Sequence, residues 1–143
     1  MGLFSLDKRL DNDCITVGNF PLCRLLLMDD ASYPWFILVP RIAGLEELYE
    51  LTSEQMRQVM TESSILSKVL QQLFNGDKLN VAALGNIVRQ LHIHHVVRFS
   101  ADPAWPGPVW GRFPAKPYPT DQIASLVTRV GKALGDCFDG FIK

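Results

Sequence analysis

Residues 90–98 read QLHIHHVVR, an apolar run interrupted by three histidines. Successive side chains of a β-strand point to opposite faces, so Gln90, His92 and His94 would line one face of a sheet. His95 would point to the other face with the apolar residues, and we predict a structural role for it. Two imidazoles and one carboxamide are therefore expected to converge on one side of a sheet.

The converging histidines are suited to chemistry on a phosphate ester. The pKa of imidazole lies near neutrality, so one ring can attack phosphorus while its neighbour bonds a phosphate oxygen. Two other interpretations stay open. A His-x-His strand also offers two metal ligands, although a catalytic zinc usually has three protein ligands and the chain has no histidine outside this cluster. Clustered histidines can also be simply packed and hydrogen-bonded.

Outward from this segment, the pattern predicts an α+β fold in which an antiparallel sheet carries its helices on one side. Thr52 and Gln55 form a capping-box pattern that begins a long helix, and Gly76 ends it. Thr120 begins a C-terminal helix that we predict to reach residue 141. Apolar runs bounded by turn residues predict two strand pairs. The predicted strands are 22–28 with 35–39 and 79–83 with 87–99, and short helical turns are predicted at 3–12 and 45–50.

Residues 103–119 form a segment rich in proline and tryptophan. Six of the nine prolines lie there, which excludes regular helix and central strand. With Trp105 and Trp110 inside it, this segment is either a stiff arm laid over a surface or a plain connector to the last helix. We treat residues 1–143 as a single domain.

The composition is typical of a folded domain, with 48% hydrophobic residues and a net charge of −1. These values exclude the high-charge signature of disorder and argue against a binder of nucleic-acid polymers. No charge-free stretch approaches the roughly 20 residues of a membrane-spanning helix. Acidic residues near the N-terminus argue against a signal peptide, and three cysteines without a C-x-x-C pair suit a reducing cytoplasm. We expect a cytoplasmic protein without a membrane partner.

Two stretches resemble the histidine triad (HIT) superfamily. Residues 85–94, GNIVRQLHIH, are similar to its signature strand, and residues 33–40, YPWFILVP, are similar to an earlier strand. The resemblance covers roughly residues 20–112 and points to a diadenosine polyphosphate hydrolase-like protein with Gln at the first triad position. It implies a HIT-like fold, with about five antiparallel strands, a long helix and a C-terminal helix. It also implies a homodimer with a joined sheet, in which Trp105 or Trp110 packs near the partner's site.

The resemblance further implies nucleotidyl transfer without a cofactor. In this chemistry the middle histidine attacks the α-phosphorus of a small nucleoside phosphate ligand, and water then releases the mononucleotide. His92 would be the nucleophile and His94 the third triad member. Asp29 would hold the ribose hydroxyls, and Asn80 and Asn86 would contact phosphate or the leaving group.

Three positions depart from the family pattern. Gln90 and Trp35 replace histidines, and Ile87 replaces a hydroxyl residue. Our first hypothesis is a nucleotide hydrolase or nucleotidyl transferase that cleaves a dinucleoside polyphosphate or nucleoside phosphoramidate through a nucleotidyl-His92 intermediate. The substitutions motivate a second hypothesis, a nucleotide-binding protein with little or no catalysis. A metal site at His92 and His94 is the third.

Overall fold

An antiparallel sheet of six strands crosses the part of the chain that this computed structural model describes, residues 2–140. Across the sheet the strands lie in the order Lys78–Ala82, Ile93–Arg98, Trp35–Pro40, Cys23–Met28, Cys14–Asn19 and Asp139–Gly140. The prediction of an α+β fold with about five strands is confirmed. In chain order the elements are α1 (Lys8–Asp13), β1 (Cys14–Asn19), β2 (Cys23–Met28), β3 (Trp35–Pro40), α2 (Ser53–Phe74), β4 (Lys78–Ala82), β5 (Ile93–Arg98), α3 (Thr120–Leu134) and β6 (Asp139–Gly140), with 3₁₀ turns at Leu48–Glu50 and Gly135–Cys137.

The two predicted strand pairs are present, but the histidine strand is shorter than expected. β2 pairs with β3 and β4 pairs with β5, all antiparallel. β5 begins at Ile93 rather than at residue 87, because the preceding residues form a loop whose Leu91 N–H donates to the Leu45 carbonyl at 2.9 Å. The sequence reasoning did not find β1 or β6.

Helix α2 begins and ends where its sequence predicts. Thr52 Oγ1 accepts from the Gln55 N–H, and the Gln55 side chain accepts from the Thr52 N–H, which completes the capping box. Asn75 then adopts a left-handed conformation with φ of 50°, directly before Gly76. The apolar face of this helix, including Leu66 and Leu70, packs on the sheet.

Helix α3 is shorter than the predicted 120–141. It ends at Leu134, because Gly135 takes a positive φ of 73° that a right-handed helix does not allow. Phe138 then packs its ring against Phe20 at a centroid distance of 5.1 Å. Phe141, the last predicted helical residue, lies outside the described residues.

The two faces of the sheet are covered differently. Helices α2 and α3 pack against one face around the larger apolar core. The first part of the proline-rich arm, residues 104–110, covers the opposite face, where Ala104 and Val109 pack with Tyr33 and Trp35. The arm therefore lies over a surface of its own chain rather than serving only as a connector. Within residues 2–140, no helix is both long and apolar enough to cross a bilayer.

Candidate active site

His92 and His94 lie together on the arm-covered face of the sheet. His94 is the second residue of β5, and His92 precedes the strand by one residue. Their ring centroids are 4.8 Å apart, and the two residues are 5% and 6% exposed. His95 points to the opposite face, where its Nε2 accepts from the Ser63 hydroxyl at 2.7 Å. The strand alternation predicted from the sequence is therefore present at these three histidines.

The orientation of His92 is set by the main chain. Its Nδ1 lies 2.7 Å from the carbonyl oxygen of Gln90. A carbonyl oxygen only accepts hydrogen bonds, so Nδ1 carries the proton and Nε2 presents a lone pair. The sequence predicts a nucleophilic His92 but does not identify this acceptor. The structure supplies it from two residues earlier in the chain.

The orientation of His94 is set by an indole. Trp35 Nε1 donates to His94 Nδ1 at 3.0 Å, and both side chains are buried. Burial, with smaller contributions from His92 and His95, lowers the pKa of His94 to about 3. Trp110 packs its ring edge-on against His94 at 5.3 Å. His94 is therefore a neutral imidazole at physiological pH.

Two cavities meet at His92 and share Asn86 as a lining residue. The mainly apolar cavity has a volume of about 360 Å³, and the mainly polar one has about 380 Å³. The apolar cavity is lined by Arg9, Leu10, Asp13, Cys14, Met28, Trp35, Ile37, Leu84, Asn86, Ile87, Val88, His92, His94, Trp110 and Gly111. The polar cavity is lined by Glu46, Glu47, Ala83, Leu84, Gly85, Asn86, Arg89, Gln90, Leu91 and His92.

The carboxamide of Gln90 is bonded to the N-terminal segment rather than turned towards His92. Its Oε1 accepts from the Asp7 N–H, and its Nε2 donates to the Ser5 carbonyl, both at 2.9 Å. A side-chain amide has both a donor and an acceptor on one planar group, so it can pair with the main chain at two points. The Gln90 side chain thus pairs with the N-terminal segment, and the main-chain carbonyl of Gln90 is the group that contacts the His92 ring. Its role as a triad member stays a prediction.

Asp29 and Asn80 are not brought to the histidines, and neither lines the two cavities. Asp29 Oδ1 accepts from the Tyr118 N–H at 2.8 Å and so holds the end of the arm. Asn80 Oδ1 accepts from the buried guanidinium of Arg98 at 2.8 Å. Of Asp29, Asn80 and Asn86, only Asn86 lines the cavities. Sequence reasoning missed Asp13, whose position at the end of α1 gave no signal of a site.

Within the described residues 2–140, His, Cys, Asp and Glu side chains form no group of three or more placed to hold a metal ion. His92 and His94 would supply two ligands, whereas a catalytic zinc usually has three protein ligands. The donor set at the histidines therefore does not favour the metal-site hypothesis.

Comparison with known proteins gives one family and several similar structures. The model of the HIT domain family matches residues 9–101. A histidine triad protein from Marinobacter aquaeolei is 52% identical with a TM-score of 0.91, over 93% of this chain and 97% of that one. A HIT protein from Sinorhizobium meliloti is 41% identical with a TM-score of 0.89, over 91% and 96% of the two chains. A histidine triad protein from Bradyrhizobium japonicum is 39% identical with a TM-score of 0.91, over 93% of this chain and 99% of that one. No curated protein matches the sequence.

Proposed function

The chain belongs to the HIT domain family, and we propose that it is a nucleotide hydrolase or nucleotidyl transferase that works through a nucleotidyl-His92 intermediate. The substrate is a small nucleoside phosphate compound. One observation carries this proposal: the Gln90 carbonyl fixes the proton of His92 on Nδ1, which leaves Nε2 as the nucleophilic nitrogen where the two cavities meet.

The chemistry has two steps. In the first, the lone pair of His92 Nε2 forms a bond to the α-phosphorus, and the bond from phosphorus to the leaving group breaks. The Nδ1–H of His92 stays hydrogen-bonded to the Gln90 carbonyl, which stabilises the positive charge on the substituted ring. In the second step, water attacks phosphorus and gives up a proton to solvent, the electron pair of the nitrogen–phosphorus bond returns to Nε2, and the mononucleotide leaves.

The residues around His92 support a division of the site into two parts. The apolar cavity, with Leu10, Met28 and Ile37 among its lining residues, suits a nucleoside base. The polar cavity suits the leaving group. Asn86 lines both, so its amide is placed to stabilise charge on the oxygens of the phosphorus undergoing attack. We assign His94 the same task through its Nε2–H.

A test of this proposal is to trap the intermediate. The protein is mixed with diadenosine tetraphosphate, quenched within milliseconds under denaturing alkaline conditions, and analysed by peptide mass spectrometry. We expect an acid-labile adenylyl group on His92 that is absent from His92→Gly. His95→Asn is the matched control, because it removes a histidine from the opposite face and should retain the adduct. Unchanged turnover in His92→Gly would overturn the proposal.

A second candidate function is nucleotide binding with little or no catalysis. It is favoured by the position of the Gln90 carboxamide, which pairs with Ser5 and Asp7 and so gives no help to the reacting phosphate. Calorimetric titration with mononucleotides distinguishes the two candidates when combined with a turnover assay. Micromolar binding without turnover would support the second candidate, and the absence of binding would remove both.

We also propose that the chain forms a homodimer in the cytoplasm. The outer edge of β4 has no neighbouring strand in the described part of the chain, and Val81, Leu84 and Ile87 are exposed close to it. The expectation that Trp105 or Trp110 packs near the partner's site is part of this proposal, and within the single chain Trp110 packs against His94. The three free cysteines support a reducing compartment. Light scattering at low concentration should give the mass of two chains, and the mass of one would refute the dimer.

A further inference from the structure

The hydrogen bond from Trp35 to His94 determines which nitrogen of His94 carries a proton. An indole N–H donates and never accepts, so His94 Nδ1 must be the acceptor of the 3.0 Å contact. The single proton of the neutral ring is therefore on Nε2. Within residues 2–140 this Nε2 has no hydrogen-bond partner, and its ring lines the apolar cavity. His94 thus presents an N–H to a ligand in the cavity.

The surroundings of His94 keep it neutral. The rings of Trp35 and Trp110 flank it at 5.7 and 5.3 Å, and the titratable groups that act on it are His92, at 4.8 Å, and His95. Burial acts first and these two histidines add to it, so the pKa of His94 is lowered to about 3. A second proton would also have to displace the Trp35 hydrogen bond at Nδ1. A neutral imidazole can donate a hydrogen bond through Nε2, but it is a far weaker acid than an imidazolium.

The other side chains that line the polar cavity with His92 do not supply a general acid either. Asn86 and Gln90 are amides, which do not release protons at neutral pH. Glu46 is ion-paired with Arg89 at 2.9 Å, and Glu47 is an exposed carboxyl. Among the residues that line the polar cavity within the described chain, no side chain is therefore poised to give a proton to a departing group.

We propose that Trp35 is a positioning residue that fixes His94 as a neutral Nε2–H donor, and that the site consequently selects nucleoside phosphoanhydrides over phosphoramidates. This inference rests on the proposed function. When His92 Nε2 attacks, the phosphorus–oxygen bond breaks and its electron pair leaves with a phosphate oxygen as a stable anion, which needs no proton. An amine departing from phosphorus would have to be protonated first, and the polar cavity, in which we place the leaving group, has no side chain poised to protonate it.

The substrate test compares two compounds that share one adenylyl group. Diadenosine tetraphosphate has a phosphate leaving group, and the N-butyl phosphoramidate of AMP has an amine leaving group. General-acid catalysis is worth about 10²–10⁴-fold, so we expect kcat/KM for the anhydride to exceed that for the phosphoramidate by at least about 100-fold at pH 7.5. Equal rates for the two compounds would overturn the substrate class while leaving the nucleotidyl-His92 chemistry intact.

The positioning test uses Trp35→Phe, which removes the N–H and keeps an aromatic ring, and Trp35→His, which restores a ring N–H. Nitrogen-15 shifts of the His94 ring report its tautomer directly, and they do so without any turnover. We expect the Nε2–H tautomer of His94 in the parent protein and a mixture of tautomers in Trp35→Phe. In Trp35→Phe, kcat on the anhydride should be lower by about 10-fold or more, with little change in KM. Trp35→His should recover part of both effects.

Two results would overturn the role of Trp35: an Nδ1–H tautomer of His94 in the parent protein, or His94 shifts that do not change in Trp35→Phe. The failure of the proposed function is a separate outcome. In that case neither compound is turned over and no adduct forms on His92, while the ring shifts of His94 still support or reject the role of Trp35.

Discussion

At the scale of single residues, the two site histidines are oriented by partners of opposite kind. A main-chain carbonyl accepts from His92 Nδ1, whereas an indole donates to His94 Nδ1. The same ring nitrogen is therefore protonated in one histidine and unprotonated in the other. His92 presents a lone pair on Nε2, and His94 presents an N–H. In the proposed function, one contact each gives these two chemically identical side chains complementary roles, nucleophile for His92 and hydrogen-bond donor for His94.

Strand alternation was sufficient to predict that His92 and His94 share a face. It did not predict where site residues far from them in the sequence, such as Asp29, would lie. Met28 points into the apolar cavity, so its neighbour Asp29 points away from it and bonds the Tyr118 N–H. Neighbouring residues of a strand point to opposite faces, and sequence spacing did not show which of Met28 and Asp29, at the end of β2, would face the site. The partner of Trp35 likewise lies 59 residues away, and only the folded sheet brings it into contact.

The two asparagines offer a prediction at this scale, because they were expected to act alike and the structure separates them. Asn86 is exposed and lines both cavities, so Asn86→Ala should lower kcat/KM by roughly 10²-fold and change the free energy of unfolding by less than about 0.5 kcal/mol. Asn80→Ala leaves a buried Arg98 nitrogen without its acceptor and should cost about 1–3 kcal/mol of stability with kcat/KM retained. Turnover assays and urea unfolding of both variants check this, and the reverse pattern would contradict it.

At the scale of elements, the strands with clear turn boundaries were predictable and the edge pairing was not. The hairpin of β2 and β3 is enclosed by proline and by an Asp-Asp-Ala-Ser turn, which are local signals. Strand β1 contains a register shift between Thr16 and Gly18 that breaks the simple alternation. Gly18 is required there, because a Cβ at this position would collide with the Asp139 carbonyl and the Phe138 ring. That requirement comes from a strand 120 residues later in the chain and has no local signature.

The two hydrogen bonds from the Gln90 carboxamide to the main chain of Ser5 and Asp7, here called the Gln90 clamp, give a prediction about helix α1 and the segment before it. Its carboxamide makes two main-chain hydrogen bonds, and α1 beyond the clamp supplies Leu10 to the apolar cavity. Gln90→Ala should therefore cost about 1–3 kcal/mol of stability, speed hydrogen exchange at the Asp7 amide and raise KM for nucleotide. Exchange rates measured by NMR test this expectation.

The matched control for Gln90→Ala is Gln122→Ala, which changes an exposed residue of helix α3. This variant should leave exchange at Asp7 and KM unchanged. If Gln90→Ala behaves like the control, the N-terminal segment is held by other contacts, and the clamp has no part in shaping the cavity.

At the scale of the whole molecule, one face of the sheet packs the larger apolar core and the other face holds the candidate active site. Its helix-covered face buries the larger apolar core, including His95 with Ser63, while the arm-covered face holds His92 and His94. The fold class followed from the alternation of apolar patterns along the chain. The position of the arm did not follow from the sequence pattern, because the prolines restrict the local backbone and do not indicate which face of the sheet the arm covers.

The buried histidines predict how stability depends on pH. The pKa of His94 is lowered to about 3 and that of His95 to about 4, in both cases chiefly by burial, against 6.5 for an ordinary histidine. Below pH 6.5 the unfolded chain binds protons at these positions that the folded protein does not, so the free energy of unfolding should fall as the pH drops from 6.5 to 4. Each histidine contributes a slope of about 1.4 kcal/mol per pH unit over the part of this range in which it is protonated only when unfolded.

Urea unfolding at several pH values tests this dependence in the parent protein and in His95→Gln. The variant removes one of the two titrating rings, so its slope between pH 4.5 and 5.5 should be smaller by about 1.4 kcal/mol per pH unit. Carboxyl groups titrate in both proteins and cancel in the difference. Equal slopes would show that His95 takes up its proton without unfolding.

The most direct test of the central claim is a crystal structure of the protein with a nucleoside 5′-monophosphate bound. The account predicts a base in the apolar cavity and phosphorus within about 3.5 Å of His92 Nε2, with Asn86 and the His94 Nε2–H on the phosphate oxygens. A phosphate bound away from His92, or a His92 ring whose Nε2 faces the Gln90 carbonyl, would contradict it.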